Sequence, residues 1–239
     1  FDLLETDRGQ ALVLNDDFIF KQSQSSKAIY HKLLLCKPVC VKSKNYWKNK
    51  FSIDIDWDSV FEHNFNNILI QRKIIDFNWK MFYGAIPVEN RLKVMRQSDG
   101  VCKLCCKYEE NVEHMIMLCP KLDGIWLYIH SFVEKVFGKC PPITYQDVVF
   151  GVCPKTVKNA NVIQMIIFLC KWQIWIRRNL FIFEQDYKDN RWILQTYKSN
   201  ISIHIDVLLK SKFISGKKQK MLKEVLEKVK DDMKDLKFN

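Results

Sequence analysis

Glycine and proline are scarce in this chain, seven and six among 239 residues. So few turn formers, beside abundant Leu, Ile, Lys and Phe, exclude collagen-like, linker-like and broadly disordered chains and point to helix. Long apolar runs are also absent. The nearest approach, Val162 to Ile176, is interrupted by Gln164, Lys171 and Gln173. A membrane span needs about 18 uninterrupted apolar residues, so a buried core helix is the better reading, and no membrane partner is expected. The opening residues lack a basic start followed by an apolar block, and the first residue is Phe. The segment does not read as a signal peptide, and the expectation is a fragment of a longer chain. No Gly-rich phosphate loop, nucleophile elbow or His-Glu-x-x-His occurs. Asp-Asp pairs stand at Asp16-Asp17 and Asp231-Asp232, neither in an apolar strand-turn setting.

The charge that is present is unevenly placed. The formal net charge is +11. Residues 21–50 hold eight lysines and no acid, and residues 210–239 hold ten lysines against five acids. These two stretches account for more than the whole excess. Such asymmetry suits a polyanion, with nucleic acid ahead of a membrane surface, against the plainer reading of two solvated faces. Nine cysteines, an odd number without an export signal, argue against a disulfide framework and for a reduced, intracellular setting, cytoplasm or nucleus. Cys36, Cys40, Cys140, Cys153 and Cys170 sit among apolar neighbours and read as core thiols. His31, His63, His130 and His204 have no partner at ligand spacing.

Apolar periodicity predicts a mainly α fold. Helices are expected over Lys27 to Leu35, Ile68 to Gly84, Glu89 to Gln97, Lys121 to Val136 and Asn161 to Phe183. On the second of these, Ile70, Ile74, Phe77 and Met81 share a face, with Ile75 and Phe82 beside them. Leu122, Ile125, Trp126, Ile129 and Val133 share a face of the fourth. Ile53 to Asp58 permits a short strand, or Asp58 and Ser59 cap a helix from Val60 to Phe65. Arg191 to Leu209 reads as helix, although its alternating Ile201, Ile203, Ile205 and Val207 permit a strand. Thr144 to Gly151 is short and ambiguous. Gly216 breaks the chain before a cationic amphipathic helix, Lys217 to Leu236, with Leu222, Val225, Val229, Met233 and Leu236 at near-heptad spacing. The implied organisation is a connector over residues 1–44, a metal-binding domain over 45–136, a helical region over 137–209 and a cationic helix over 210–239.

The other four cysteines carry the chemistry. They form Cys102-x2-Cys105-x8-His114-x4-Cys119, with Cys106 directly after Cys105. Two thiolates two residues apart grip one Zn²⁺ from a single tight turn, whose amides point at the sulfurs. His114 and Cys119 return from a second element to complete a tetrahedron. Three thiolates and an imidazole make a closed, structural site. A catalytic zinc needs an open position, so a zinc hydrolase, with Glu113 as its acid, is disfavoured. Cys106 is able to replace Cys105, and the two-residue turn favours Cys105. Arg91, Lys93 and Arg96 lie on the approach to the site, and Lys103, Lys107 and Tyr108 in its loop. Bases and an aromatic beside a metal turn suit phosphate contacts and stacking on unpaired nucleic acid.

Around these ligands the chain resembles the zinc-binding region that follows the polymerase in non-LTR (LINE-type) retrotransposon reverse transcriptases. That family shows F-x-W, then (I/L)-P-(T/V)-x-x-R-L, C-x-x-C, a Glu before the His, H-x4-C-P and a following Trp. Here these elements are Phe77, Trp79, Ile86, Pro87, Arg91, Leu92, Cys102, Cys105, Glu113, His114, Cys119, Pro120 and Trp126. Farther on, Trp172 to Glu184 is similar to a W-x-I-W-x-x-R-N-x-x-x-F helix of these proteins. The likeness is close over residues 45–130 and thinner to residue 185. The x8 gap is longer than in the retroviral nucleocapsid knuckle. The resemblance implies a non-catalytic C-terminal region that holds template RNA or target DNA for an upstream reverse transcriptase domain during target-primed reverse transcription. The family's aromatic-Ala-Asp-Asp polymerase motif is absent, as is any endonuclease constellation. The rival reading is an interaction module of another class. There the zinc only fastens helices, and the Lys217 to Leu236 helix engages a partner helix or an anionic membrane face.

Overall fold

Helices bury their apolar surfaces only against other elements, and this chain supplies nine α-helices among its described residues. A computed structural model describes residues 42–51, 56–139, 142–151, 159–211, 214 and 216–235. The predicted helix Lys27 to Leu35, the alternating residues 53–55, and Cys36, Cys40, Cys140, Cys153 and His31 lie outside them. The chain divides into two compact units, Phe1–Phe51 and Ser52–Asn239. In the first, α1 (Lys42–Phe51) buries Trp47, which stacks on Phe51 one turn later, with ring centroids 6.1 Å apart.

The second unit contains α2 (Trp57–Phe65), α3 (Arg72–Phe82), α4 (Glu89–Val94), α5 (Ile125–Phe137), α6 (Tyr145–Phe150), α7 (Ala160–Glu184), α8 (Asn190–Lys210) and α9 (Gly216–Asp235). Among the described residues the β pairing is confined to an isolated antiparallel bridge, Val101 to Glu109. The fold is mostly helical, as the periodicity predicts.

Helix α7 is the axis of the unit. Its residues from Val162 to Lys171 are all buried, and α3, α5 and α8 pack around it. Ile74, Ile75, Phe77, Met81 and Phe82 of α3 are buried, as the spacing predicts. Phe77 meets Trp172 and Trp175 of α7, with centroids 5.5 and 5.6 Å away. Phe82 meets Trp57 of α2 and Phe150 of α6. Lys171, fully buried, donates to the Val148 carbonyl at 2.8 Å, and Asn64 donates to that of Phe150. Two of the carbonyls left unpaired at the end of α6 are thereby satisfied. Gly151 follows with φ +84°, and a Cβ there would collide with Asn64 and Gln164.

Several boundaries differ from the sequence reading, each for a local reason. The N-cap of α2 is Asp56, whose carboxylate accepts the Ser59 amide at 3.1 Å, so the helix begins before Asp58. Residues 68–70 turn before α3 starts at Arg72. Helix α4 stops at Val94 because Arg96 takes a left-handed conformation, φ 57°. Pro120–Leu122 forms a single 3₁₀ turn, and Gly124 at φ 79° resets the chain, so α5 starts at Ile125. Thr144 and Asp147 form a reciprocal capping box that settles the ambiguous stretch as α6. The alternating isoleucines lie on α8. Gly216 opens α9 instead of breaking the chain ahead of it.

Helices α8 and α9 are antiparallel neighbours: Lys198, in the first half of α8, meets Asp232 in the last turns of α9 at 2.7 Å. Leu222, Val225, Leu226 and Val229 are buried there, against α8 and α5. The Asp232 carboxylate also accepts from Tyr128 of α5 and pairs with Lys135 at 3.4 Å. Among the described residues no helix is long and apolar enough to cross a membrane.

Candidate metal centre

The donor set is assembled from two short elements. Residues 101–109 fold back on themselves through the Val101–Glu109 bridge. The Cys102 amide donates to the Tyr108 carbonyl at 2.9 Å, and the Cys106 amide to that of Cys102 at 2.8 Å. This turn carries Cys102 and Cys105 inward. Cys106 follows in a left-handed conformation, φ 53°, with its thiol exposed and directed at the Lys103 carbonyl. It lies outside the cluster, which contains Cys105 instead.

The second element is a π-helical turn, His114–Leu118. Asn111 caps it by accepting the His114 amide at 2.8 Å, and the Cys119 amide donates to the His114 carbonyl at 2.9 Å. On a regular α-helix, positions five apart point about 140° away from one another. The widened turn, with Cys119 extended at its end, brings His114 and Cys119 to the same side. Such turns recur at functional sites.

One donor atom from each of Cys102, Cys105, His114 and Cys119 lies within 4.8 Å of every other, and all four residues are buried. Cys102 Sγ and Cys119 Sγ are 4.0 Å apart, and Cys105 Sγ and His114 Nε2 are 3.4 Å apart. A tetrahedron with metal–sulfur bonds of about 2.3 Å has edges of about 3.8 Å. The donor set therefore fits one divalent ion with no position left for water. The amides of Leu104 and Cys105 point at the Cys102 sulfur, and the Lys121 amide at that of Cys119. Packed side by side, the two thiols divide their acidity. The Cys102 thiol is pushed up by its contact with Cys119 and by burial, while the same contact pulls Cys119 down. Burial holds the His114 imidazole below its ordinary range, in the neutral form a metal requires.

The flanks of the donor set are tied down by buried polar groups, among them Trp126 and Arg178, which is the Arg of the W-x-I-W-x-x-R-N stretch. Arg178 of α7 is buried and donates to the Glu110 carboxylate from Nε at 2.8 Å and from Nη2 at 2.6 Å. Its Nη2 also reaches Glu89 of α4 at 3.1 Å. The Glu89 amide donates to the Glu110 carboxylate at 3.0 Å, and Ser98 donates to that of Glu89. Arg177 donates through both terminal nitrogens to the Lys121 carbonyl, 3.2 Å each, and to Asn190 Oδ1 at 2.7 Å. Trp126 Nε1 donates to the Ile116 carbonyl at 2.9 Å. Two adjacent arginines on a largely apolar helix are the available signal, since buried charges occur only with partners. Phe77, Trp79, Phe82 and Pro87 are expected to pack a helix against the metal turn. The rings of Phe77 and Phe82 meet aromatics of α2, α6 and α7, and Trp79, 44% exposed, packs on Phe65 and Tyr83.

The six positions expected to contact nucleic acid are not alike. Arg91 on α4 donates to the Gly84 carbonyl. Lys93 pairs with Glu109 at 3.6 Å and Lys103 with Asp99 at 2.8 Å. Arg96 and Lys107 are exposed. They make no ion pair among the described residues. Tyr108 is 57% exposed, with its ring centroid 5.9 Å from that of His114.

No curated protein and no solved structure matches the chain. The stretch that holds the four donors, their approach helices and Trp126 does have a counterpart: residues 42–126 match the family described as zinc-binding in reverse transcriptase.

Proposed function

We propose that this chain is the accessory, non-catalytic C-terminal region of a LINE-type reverse transcriptase polyprotein, holding template RNA or target DNA for the upstream polymerase domain. The observation that carries this reading is the convergence of Cys102, Cys105, His114 and Cys119 inside the stretch that matches the reverse-transcriptase family. Three thiolates and one imidazole favour zinc, whose structural sites take this donor set. The ion is structural: it pins the turn that carries Lys107 and Tyr108, and their exposure supports a role in contacting a strand. Lys107 and Arg96 offer charge for phosphates, and Tyr108 a face for a base. Exposed Lys217, Lys220, Lys223 and Lys228 on α9 add a second basic stretch, beside Lys230, which pairs with Glu227 at 3.5 Å. Lys93 and Lys103 are partly neutralised by Glu109 and Asp99, so they contribute less. The setting that fits this role is intracellular.

The rival interaction-module reading needs the apolar face of α9 to be available. Its described residues Leu222, Val225, Leu226 and Val229 are buried against α8 and α5, which favours the nucleic-acid reading.

The test is retention of single-stranded RNA by the purified chain, zinc-loaded and after chelation, across a salt series. Retention is expected to fall steeply with salt and to weaken on chelation. Equal retention by both forms removes the metal turn from the function, and no retention at low salt removes the nucleic-acid role.

A further inference from the structure

We propose that Arg177 and Arg178 of α7 are positioning residues of the metal centre, gripping the two halves of its donor set from a helix that lies beyond the family-matched segment. The inference rests on the metal-binding reading above.

Successive residues on a helix point about 100° apart, and this pair uses that divergence. Arg178 reaches the half that carries Cys102 and Cys105. Its partner Glu110 follows Glu109, the residue bridged to Val101, and the Glu110 amide donates to the Gly100 carbonyl at 2.9 Å. The Glu110 carbonyl accepts from Asn90 of α4 at 3.0 Å, and Asn111, next in the chain, caps the His114 turn. The Glu110 carboxylate is thus the point where the first turn, α4 and the base of the second turn meet, and Arg178 holds it.

Arg177 reaches the other half. The peptide unit before Lys121 points its N–H at the Cys119 sulfur, and the Lys121 carbonyl accepts from both terminal nitrogens of Arg177. Asn190 orients that guanidinium and donates to the Asp123 carbonyl at 2.9 Å. Three thiolates around a divalent ion leave one net negative charge in a buried site. Arg177 is buried within electrostatic reach of the Cys119 and Cys102 sulfurs, so it offsets that charge. Partners of this outer kind are worth 10–100-fold in metal affinity.

The experiment uses the full chain and Co²⁺, whose visible bands report tetrahedral thiolate coordination. Affinity is measured by chelator competition. Arg177→Met and Arg178→Met are expected to weaken Co²⁺ binding by about 10–100-fold and to alter the band pattern. Arg177→Lys, which keeps the charge, is expected to recover part of the loss. Val225→Ala, a core truncation on α9, lowers thermal stability and is expected to leave affinity within about twofold, because Val225 belongs to a different contact network. Unchanged affinity in both arginine variants overturns the proposal, as does an equal loss in Val225→Ala. If the methionine variants do not fold, Arg177→Lys and Asn190→Ala carry the test, and unchanged affinity in both overturns it. A parent chain without tetrahedral Co²⁺ bands overturns the metal reading itself, a separate outcome.

Discussion

Truncating Leu222 to alanine probes whether α9 is part of the folded unit or a free basic tail. Leu222 is fully buried, one turn from Val225 and Leu226 and two from Val229. The same helix is fastened at its far end by Asp232, which faces Lys198, Lys135 and Tyr128. Burial and the Asp232 carboxylate push the Tyr128 hydroxyl up, so it stays protonated as a donor. With its neighbours held in this way, the site has little freedom to collapse around a deleted side chain. A Leu→Ala change at such a position costs about 2–5 kcal/mol. For a chain of this size, each kcal/mol lowers the melting temperature by about 2–4 °C, so a drop of about 5–15 °C is expected for Leu222→Ala. The assay is thermal unfolding of the metal-loaded chain followed by helical circular dichroism. Lys223→Ala, one residue on and exposed, serves as the reference and is expected to change stability by less than about 0.5 kcal/mol. If Leu222→Ala melts with the parent, α9 is not docked, and its apolar face is open to a partner helix or an anionic membrane.

Three further outcomes are expected. Arg178→Met should cost about 3–5 kcal/mol, since it leaves two buried carboxylates without a cation. Glu89→Gln should cost much less, because the two acids share one guanidinium; similar costs in urea unfolding would contradict the shared-charge picture. His204 receives the Gln71 amide at Nδ1, 3.0 Å, and donates from Nε2 to the Leu69 carbonyl at 2.6 Å. Burial holds its pKa below the ordinary 6.5. The unfolded chain therefore takes up this proton first. The stabilising effect is complete above about pH 6.5 and declines as pH falls below it, at up to about 1.4 kcal/mol per pH unit. His204→Gln should show a shallower decline than the parent between pH 7 and 5, and parallel curves would refute the assignment. Cys106→Gly should keep full metal content and gain up to about 1 kcal/mol, because glycine takes the left-handed conformation without strain. Loss of metal would show Cys106 to be a ligand.

Much of the fold was legible because its signals are local. The stripe Ile74, Phe77 and Met81 and the cluster from Leu122 to Val133 reported their buried faces through spacing alone. So did the convergence of the four candidate donors, because a cluster held by two short turns keeps its members close in sequence. The alternating isoleucines of α8 were ambiguous since both periods fit a short window, and burial of Ile201 and Ile205 beside α7 and α9 decided between them. Asp56 was passed over as a cap because Asp58 and Ser59 offered the same chemistry two residues later. The Arg178–Glu110–Glu89 cluster joins residues 68 and 89 positions apart, a relation that no local pattern records. The neutralisation of Lys93 and Lys103 was hidden for a related reason, since exposed acids and bases acquire meaning only once the loop folds.

That one ion is held by the four side chains is tested most directly by native mass spectrometry of the purified chain with single substitutions. The expected result is one zinc per chain in the parent and in Cys106→Ser. Zinc is expected to be lost or greatly weakened in Cys102→Ser, Cys105→Ser, His114→Ala and Cys119→Ser alike. A parent chain without metal, or full zinc occupancy after any of those four changes, would contradict it.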